Sequence, residues 1–365
     1  MKTGLLLTRF DETDAGCIFL EKFSRYFFNE HRIIELQSYS KKFAFYSRII
    51  NSPIFKLIKK TPFGPIINWL IGKFFARFFL KEIIINVENK YTTLILPTGD
   101  ELAFILGLRL KKMGYVKKLH LMILDFPWTY ENSKLNNWII KKLYLNALRD
   151  LDSADCISDE MLDATRSYNS SIKLYHNSVF FDLHSNIQNS SAFLEEKTGL
   201  LEIAYAGNLR FRKEIFQFLE ILALGTPRFK FHLFSKSSIT LKNVENRGFQ
   251  NSNLELINEL RNFDFGFIPL SFDKKDEEMV RTSFPSKTAT YLSAQLPIVA
   301  FAPEYSALVK FINNYGLGIV IGHKGFGSRN ILNELKQIRK NWDKNIMLLK
   351  KDNLEHLNQL KTHFQ

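Results

Sequence analysis

Short apolar runs alternate with amphipathic segments along almost the whole chain, and few folds accept that alternation. In the first half, strands are expected near 3–8, 91–97, 118–124, 154–158 and 172–175, and helices near 15–29, 100–113, 134–150 and 159–168. The series restarts at Ile203-Ala204-Tyr205-Ala206-Gly207. Strands are then expected at 203–207, 229–234, 264–269, 297–301 and 317–321, with helices at 213–223, 253–262, 286–294 and 304–314. Strands separated by helices build parallel sheets with crossover helices. A single core stops growing at roughly 250–300 residues, so 365 residues in two series imply two domains. The polar stretch 183–199 reads as the linker between domains 1–182 and 200–328. In the remaining 329–365, Ile331, Leu335, Ile338, Trp342, Ile346 and Leu349 keep helical spacing, which predicts one long amphipathic helix or a pair of them. Two such α/β domains would leave a cleft at the carboxyl ends of their strands, where ligands bind in such sheets.

The net charge of +13 is unevenly spread. Between Ser38 and Glu82 stand nine Lys or Arg against one acid, together with eleven aromatic residues. Lys73, Arg77 and Lys81 fall at i, i+4 and i+8 and would form one basic stripe on a helix, while Trp69, Phe74 and Phe78 cover much of the rest. A wide apolar face with a cationic stripe suits an anionic membrane interface. The alternative is a buried helix whose cations reach out to solvent. No RNA- or DNA-binding module surrounds these residues, so nucleic acid is not expected as a partner. No uncharged run approaches the 18 or more residues of a membrane span. The N-terminal apolar run is too short for a signal peptide and reads as a first core strand. Cys17 and Cys156 lie far apart with no metal-like spacing, which fits a reduced, cytoplasmic setting.

Two strand-to-helix turns in the second half carry chemistry. Gly207-Asn208-Leu209-Arg210-Phe211-Arg212-Lys213 places a glycine and three cations where a strand ends and a helix begins. Gly207 allows a ligand close to the backbone, and Arg210, Arg212 and Lys213 can meet the charges of a diphosphate. Residues 282–290 read as a loop leading into a short helix, whose backbone N–H groups would converge on an anion. Lys287 would add a point charge there.

The block from Thr282 through Ser283, Phe284, Pro285, Ser286, Lys287 and Thr290 to Leu296-Pro297-Ile298-Val299 resembles the nucleotide-binding core of retaining, nucleotide-sugar-dependent glycosyltransferases of the GT-B fold. Bacterial glucosyl- and galactofuranosyltransferases of surface-polysaccharide synthesis are similar, and so is the phrase Phe311-Ile312-Asn313-Asn314-Tyr315-Gly316-Leu317-Gly318-Ile319. The resemblance spans about 200–322. It implies two Rossmann-like, doubly wound domains facing across a cleft, the first taking the acceptor and the second the donor, with the tail packing back on the first. Implied donor-site residues are Gly207, Asn208, Arg210, Arg212, Lys213, Phe249, Pro269, Ser283, Phe284, Ser286, Lys287 and Thr290. The sequence departs from the family pattern at four places. Thr282 and Thr290 stand where the family has glutamates, and Pro285 and Gln295 where it commonly has glycines.

In the first domain, Asp14, Asp100 and Asp125 each follow an expected strand and are the candidate catalytic carboxylates. Asp125 is the leading one, to orient the acceptor hydroxyl or act as a general base. Leu124 occupies the place of a histidine common in the family. Carboxylates after strands also cap helices, so a structural role competes at all three. The resemblance implies a UDP-linked donor as substrate with no separate cofactor; no Asp-x-Asp metal pair is positioned for the chemistry, so no metal is expected. It further implies a saccharide or lipid-linked acceptor and attachment to the inner face of the plasma membrane. A glucosyl- or galactofuranosyltransferase acting on a soluble or protein acceptor is the rival enzyme. An inactive GT-B-derived scaffold is the rival from outside catalysis.

Overall fold

The computed structural model of the chain describes residues 3–7, 15–27, 33–35, 43–59, 61, 64–87, 91–130, 134–178, 180, 200–223, 228–250, 252–324 and 330–365. Among them, twelve strands form two six-stranded sheets in which every pairing is parallel. The chain divides into two compact units. Unit 1 comprises Met1–Ser178 with His356–Gln365, and unit 2 is Val179–Glu355.

Unit 1 runs β1 (Thr3–Leu7), α1 (Ala15–Phe27), β2 (Ile33–Glu35), α2 (Phe43–Ile50), α3 (Pro53–Lys59), α4 (Gly64–Val87), β3 (Thr93–Pro97), α5 (Glu101–Lys112), β4 (Lys118–Ile123), α6 (Lys134–Leu148), β5 (Ser153–Cys156), α7 (Asp159–Tyr168) and β6 (Lys173–His176). Its strand order is β2-β1-β3-β4-β5-β6. Unit 2 runs β7 (Leu200–Ala206), α8 (Arg212–Ala223), β8 (Arg228–Phe234), β9 (Val244–Asn246), α9 (Asn253–Leu260), β10 (Phe265–Pro269), α10 (Glu277–Thr282), α11 (Lys287–Ser293), β11 (Ile298–Phe301), α12 (Ala307–Tyr315), β12 (Gly318–Ile321) and α13 (Ile331–Phe364). Its order is β12-β11-β10-β7-β8-β9. Both sheets are doubly wound. The winding direction reverses between β1 and β3 in the first and between β7 and β10 in the second, and a sheet opens a ligand crevice at such a reversal.

Central strands β1, β3, β10 and β11 are buried along their whole length, as sheets covered by helices on both faces require. Phe218, Phe231, Phe265, Phe267 and Phe301 fill the core of unit 2. Serines set several helix starts: Ser158, Ser252 and Ser306 each accept a hydrogen bond from the amide three residues on. Gly316 closes α12 in the left-handed region. Gln295 also has a left-handed backbone, with φ 57°. This explains the family's glycine at that place, because a side chain there costs roughly 1–2 kcal/mol.

The elements expected from sequence are present to within a few residues. β2 and β9 fall outside the expected series, since three residues are too few to show a period. α10 replaces the start of the expected 282–290 loop, so Thr282 lies in a helix, its hydroxyl donating to the Glu278 carbonyl. The tail from Ile331 is a single helix of 34 residues. Its last residues, from His356, group with unit 1 and its earlier part with unit 2. The linker expected at 183–199 lies outside the described residues.

Candidate functional site

The carboxyl ends of β7 and β10, where the second sheet reverses, are held by one side chain from α11. The buried Tyr291 hydroxyl donates to the Phe267 carbonyl (3.1 Å) and accepts from the Ala206 amide (3.0 Å). The Tyr291 ring lies so close to β10 that a Cβ on Gly266 would sit 2.4 Å from it. Gly266 is therefore the space into which α11 docks.

One turn before Tyr291 on the same helix face, the half-buried Lys287 reaches the turn after β7. Its Nζ is 5.2 Å from the centroid of the buried Tyr205 ring. Gly207 has φ 122°, and a Cβ there would lie 2.8 Å from Lys287 Cε and 3.1 Å from Nζ. A side chain at 207 would thus be strained and would also expel the lysine. Among the described residues no carboxylate pairs with Lys287. Burial, with Arg210 as the next cause, lowers its pKa to about 8. The Tyr205 hydroxyl donates to the Asn208 carbonyl and pins the turn. The result is a concentrated positive charge at a strand end, with a backbone kept bare beside it. Such a place suits an anion.

Five other residues expected at the donor site lie around this crevice. Asn208 and Arg210 are exposed on the same turn, with Arg210 Nη2 3.1 Å from Met279 Sδ. Pro269 ends β10 at the same crevice. Ser286 and Thr290 lie beside Lys287, Ser286 exposed and Thr290 half-buried.

Arg212 and Lys213 are directed elsewhere. The Arg212 guanidinium is 5.4 Å from the Phe216 ring one turn along α8, and Lys213 Nζ pairs with Asp273 Oδ1 at 2.7 Å. Phe284 packs edge-on against Phe180 and Phe311 as a core aromatic. Phe249 is 49% exposed, with Lys236 Nζ 4.8 Å above its ring.

The expected fan of loop amides is largely occupied. The Ser283 amide donates to the Met279 carbonyl, Thr288 to Pro285, and Ala289 to Ser286. Positive charge at this turn therefore comes mainly from side chains. Tyr205, Tyr291 and Gly266 were not singled out from sequence. The detectable signal was a tyrosine inside an otherwise aliphatic strand and another inside a short helix.

In unit 1, Asp100 Oδ1 accepts from the Ala103 amide (3.0 Å) and is the N-cap of α5. Asp125 is half-buried just past β4. The Leu124 amide donates to Thr98 Oγ1 (3.2 Å), tying the ends of β3 and β4 together and bringing Asp100 and Asp125 to neighbouring strand ends. Asp14 lies outside the described residues.

On α4, Lys73, Phe74, Arg77, Phe78 and Lys81 are exposed, while Trp69 is half-buried with Lys73 Nζ 5.9 Å from its ring. Phe74 and Phe78 are 56% and 45% exposed. Among the described residues, no helix is long and apolar enough to cross a membrane.

Comparison with known proteins accords with this geometry. Residues 203–359 match the profile of a family described as "Glucosyltransferase 3-like, C-terminal domain". Three solved structures share the fold across nearly the whole chain. One is an α,α-trehalose-phosphate synthase (UDP-forming) from Burkholderia xenovorans solved with glucose-6-phosphate, with TM-score 0.60, 9% identity and 97% of each chain covered. The lipopolysaccharide outer core galactosyltransferase WaaB has TM-score 0.55 and 10% identity, over 95% of this chain and 90% of that one. WaaG, a glycosyltransferase involved in lipopolysaccharide biosynthesis, has TM-score 0.52 and 9% identity, over 100% and 99%. No curated protein matches in sequence. The chain has the two-sheet α/β architecture of the GT-B fold. Within it, residues 203–359 form a glucosyltransferase 3-like carboxyl-terminal domain.

Proposed function

We propose that the protein moves a sugar from a UDP-linked donor to a saccharide or lipid-linked acceptor at the cytoplasmic face of a bacterial membrane, in the synthesis of a cell-surface polysaccharide. The observation that carries the donor half is Lys287, an uncompensated ammonium held beside the bare backbone of Gly207 where the second sheet reverses. The departing diphosphate bears the charge that develops as the glycosidic bond breaks, and Lys287 with Arg210 is placed to stabilise it. In the retaining reaction proposed, the bond from the anomeric carbon to the phosphate oxygen breaks. A bond to the acceptor oxygen forms on the same face, and the acceptor proton passes to the leaving phosphate. Fixed side-chain cations supply the positive charge, so no divalent metal is invoked. Asp125 is assigned to orient the acceptor hydroxyl.

Calorimetric titration with UDP in excess chelator tests this reading. Micromolar binding is expected, weakened at least tenfold in Lys287→Ala and less in Lys213→Ala, whose ammonium already has a carboxylate partner. Binding that requires manganese, or that is indifferent to Lys287, would refute the assignment.

The membrane half rests on the exposed aromatics and cations sharing the outer face of α4. A polar sugar acceptor carried on a lipid would meet the enzyme at that surface.

A further inference from the structure

Four of the chain's eight histidines gather where the last turns of α13 meet the first sheet. Four of the contacts there form a continuous chain through His120, Ser153 and His363. His120 Nε2 lies 3.0 Å from Asp155 Oδ2, and its Nδ1 lies 2.8 Å from Ser153 Oγ. Ser153 Oγ is also 2.8 Å from His363 Nε2, and His363 Nδ1 is 3.0 Å from the Tyr175 hydroxyl. His120 and Asp155 have no solvent exposure.

One set of bond directions runs through the whole chain from its carboxylate end. A carboxylate only accepts, so His120 donates from Nε2 to Asp155. In that set its Nδ1 accepts from the Ser153 hydroxyl. Ser153 in turn accepts from His363 Nε2, and His363 Nδ1 accepts from Tyr175. This arrangement satisfies all five groups, with His363 neutral and carrying its proton on Nε2.

Seven residues earlier on the same helix face, the His356 ring stacks on His176 with centroids 4.2 Å apart. His176 Nδ1 bonds the Asn177 carbonyl (2.7 Å), and its Nε2 is 3.5 Å from Asp159 Oδ1. Phe364 packs on Phe23 and Phe27 of α1 and on His120, and its carbonyl accepts from Thr3 Oγ1.

We propose that His356–Gln365 is an acid-sensitive clasp on unit 1, closed while His363 and His176 are neutral and loosened when they take up protons. The charges facing these rings favour neutrality. His120, Lys118 of β4 and Lys173 of β6 oppose a cation at His363, and His356 opposes one at His176. Against them stand Asp155 of β5 at the far end of the chain and Asp159 of α7 beside His176. Burial is the largest influence on both rings. It pushes His363 down to about 4 and lowers His176 as well.

The sign follows from linkage. An unfolded histidine titrates near 6.5, so between about pH 6.5 and 4 the released segment holds more protons than the docked one. Docking is therefore at full strength above about pH 6.5 and weakens as pH falls through that window.

Hydrogen exchange of the full chain at pH 7.5 and 5.5, corrected for intrinsic rates, tests the clasp. Protection of peptides covering 356–365 is expected to fall at least tenfold at the lower pH while β3 and β4 hold. The fall should be smaller in His363→Gln and absent in His176→Gln/His363→Gln. An undiminished fall in the double variant, or none in the wild type, overturns the proposal. Should the variants fold poorly, ring nitrogen shifts of wild-type His363 decide. A neutral Nε2–H ring at pH 6 is expected, and titration near 6.5 with the segment still protected overturns it.

Discussion

Gly207 and Lys287 act as one unit, because the glycine's missing side chain is the room the lysine occupies. Burial beside Arg210 leaves the Lys287 ammonium without full hydration, and an arriving diphosphate would replace what it lacks. With its pKa lowered to about 8, the cation is complete below that value and disappears as pH rises through it. UDP affinity should therefore decline from pH 7 to pH 9 in the wild type and stay nearly flat in Lys287→Met, as read by calorimetry in buffers of differing ionisation enthalpy. Gly207→Ala should also weaken UDP at least tenfold at pH 7, for it displaces the lysine and forces a side chain into φ 122°. At this scale the sequence was partly legible. A glycine after a strand and a lysine opening a short helix are local signals. The partnership between positions 207 and 287 is not, because it requires α11 to be hooked across β7 and β10 by Tyr291. Nor did the cation run 210–213 reveal that Lys213 is neutralised by Asp273, sixty residues on.

At the scale of elements, α4 shows what a pattern conveys and what it omits. Its 24 residues are apolar nearly all round, so periodicity identified the basic stripe but not which aromatics turn inward. In the structure Phe75, Ala76, Phe79 and Ile83 are buried, while Leu70, Phe74, Phe78 and Ile85 face outward beside Lys73, Arg77 and Lys81. Gly72 admits close packing, since a Cβ there would meet Ile105 of α5 at 2.8 Å. Exposed Ile54 and Leu57 on α3 and Phe45 on α2 enlarge the apolar surface of unit 1. Each cation near an anionic bilayer contributes about 1 kcal/mol. Replacing Lys73, Arg77 and Lys81 with Gln should thus lower partitioning onto phosphatidylserine vesicles by about 100-fold in co-sedimentation, leaving UDP affinity unchanged. Equal sedimentation of the two proteins would instead favour a soluble or protein acceptor.

Over the whole molecule, two rounds of strand and helix were legible because each strand has apolar runs and each crossover a helical period. Less legible was the assignment of the tail, whose spacing is uniform from Ile331 to Leu349 and gives no sign of a change of neighbour near His356. That change depends on tertiary partners drawn from β1, α1, β4, β5 and β6. Ending the chain after Glu355 should therefore destabilise unit 1 and spare unit 2. In hydrogen exchange, β4 and β5 should lose protection while β7, β10 and β11 keep theirs.

This division of α13 also bears on biogenesis. Domains usually fold in the order in which they leave the ribosome. Here the first sheet emerges early, yet the histidine that completes its Asp155–His120–Ser153 chain is translated some two hundred positions after Ser153. The earlier-made half must wait half-finished, with a polar row open along its strands, until the later-made half has been translated. A nascent protein built this way gains from a chaperone that shelters that row during the delay.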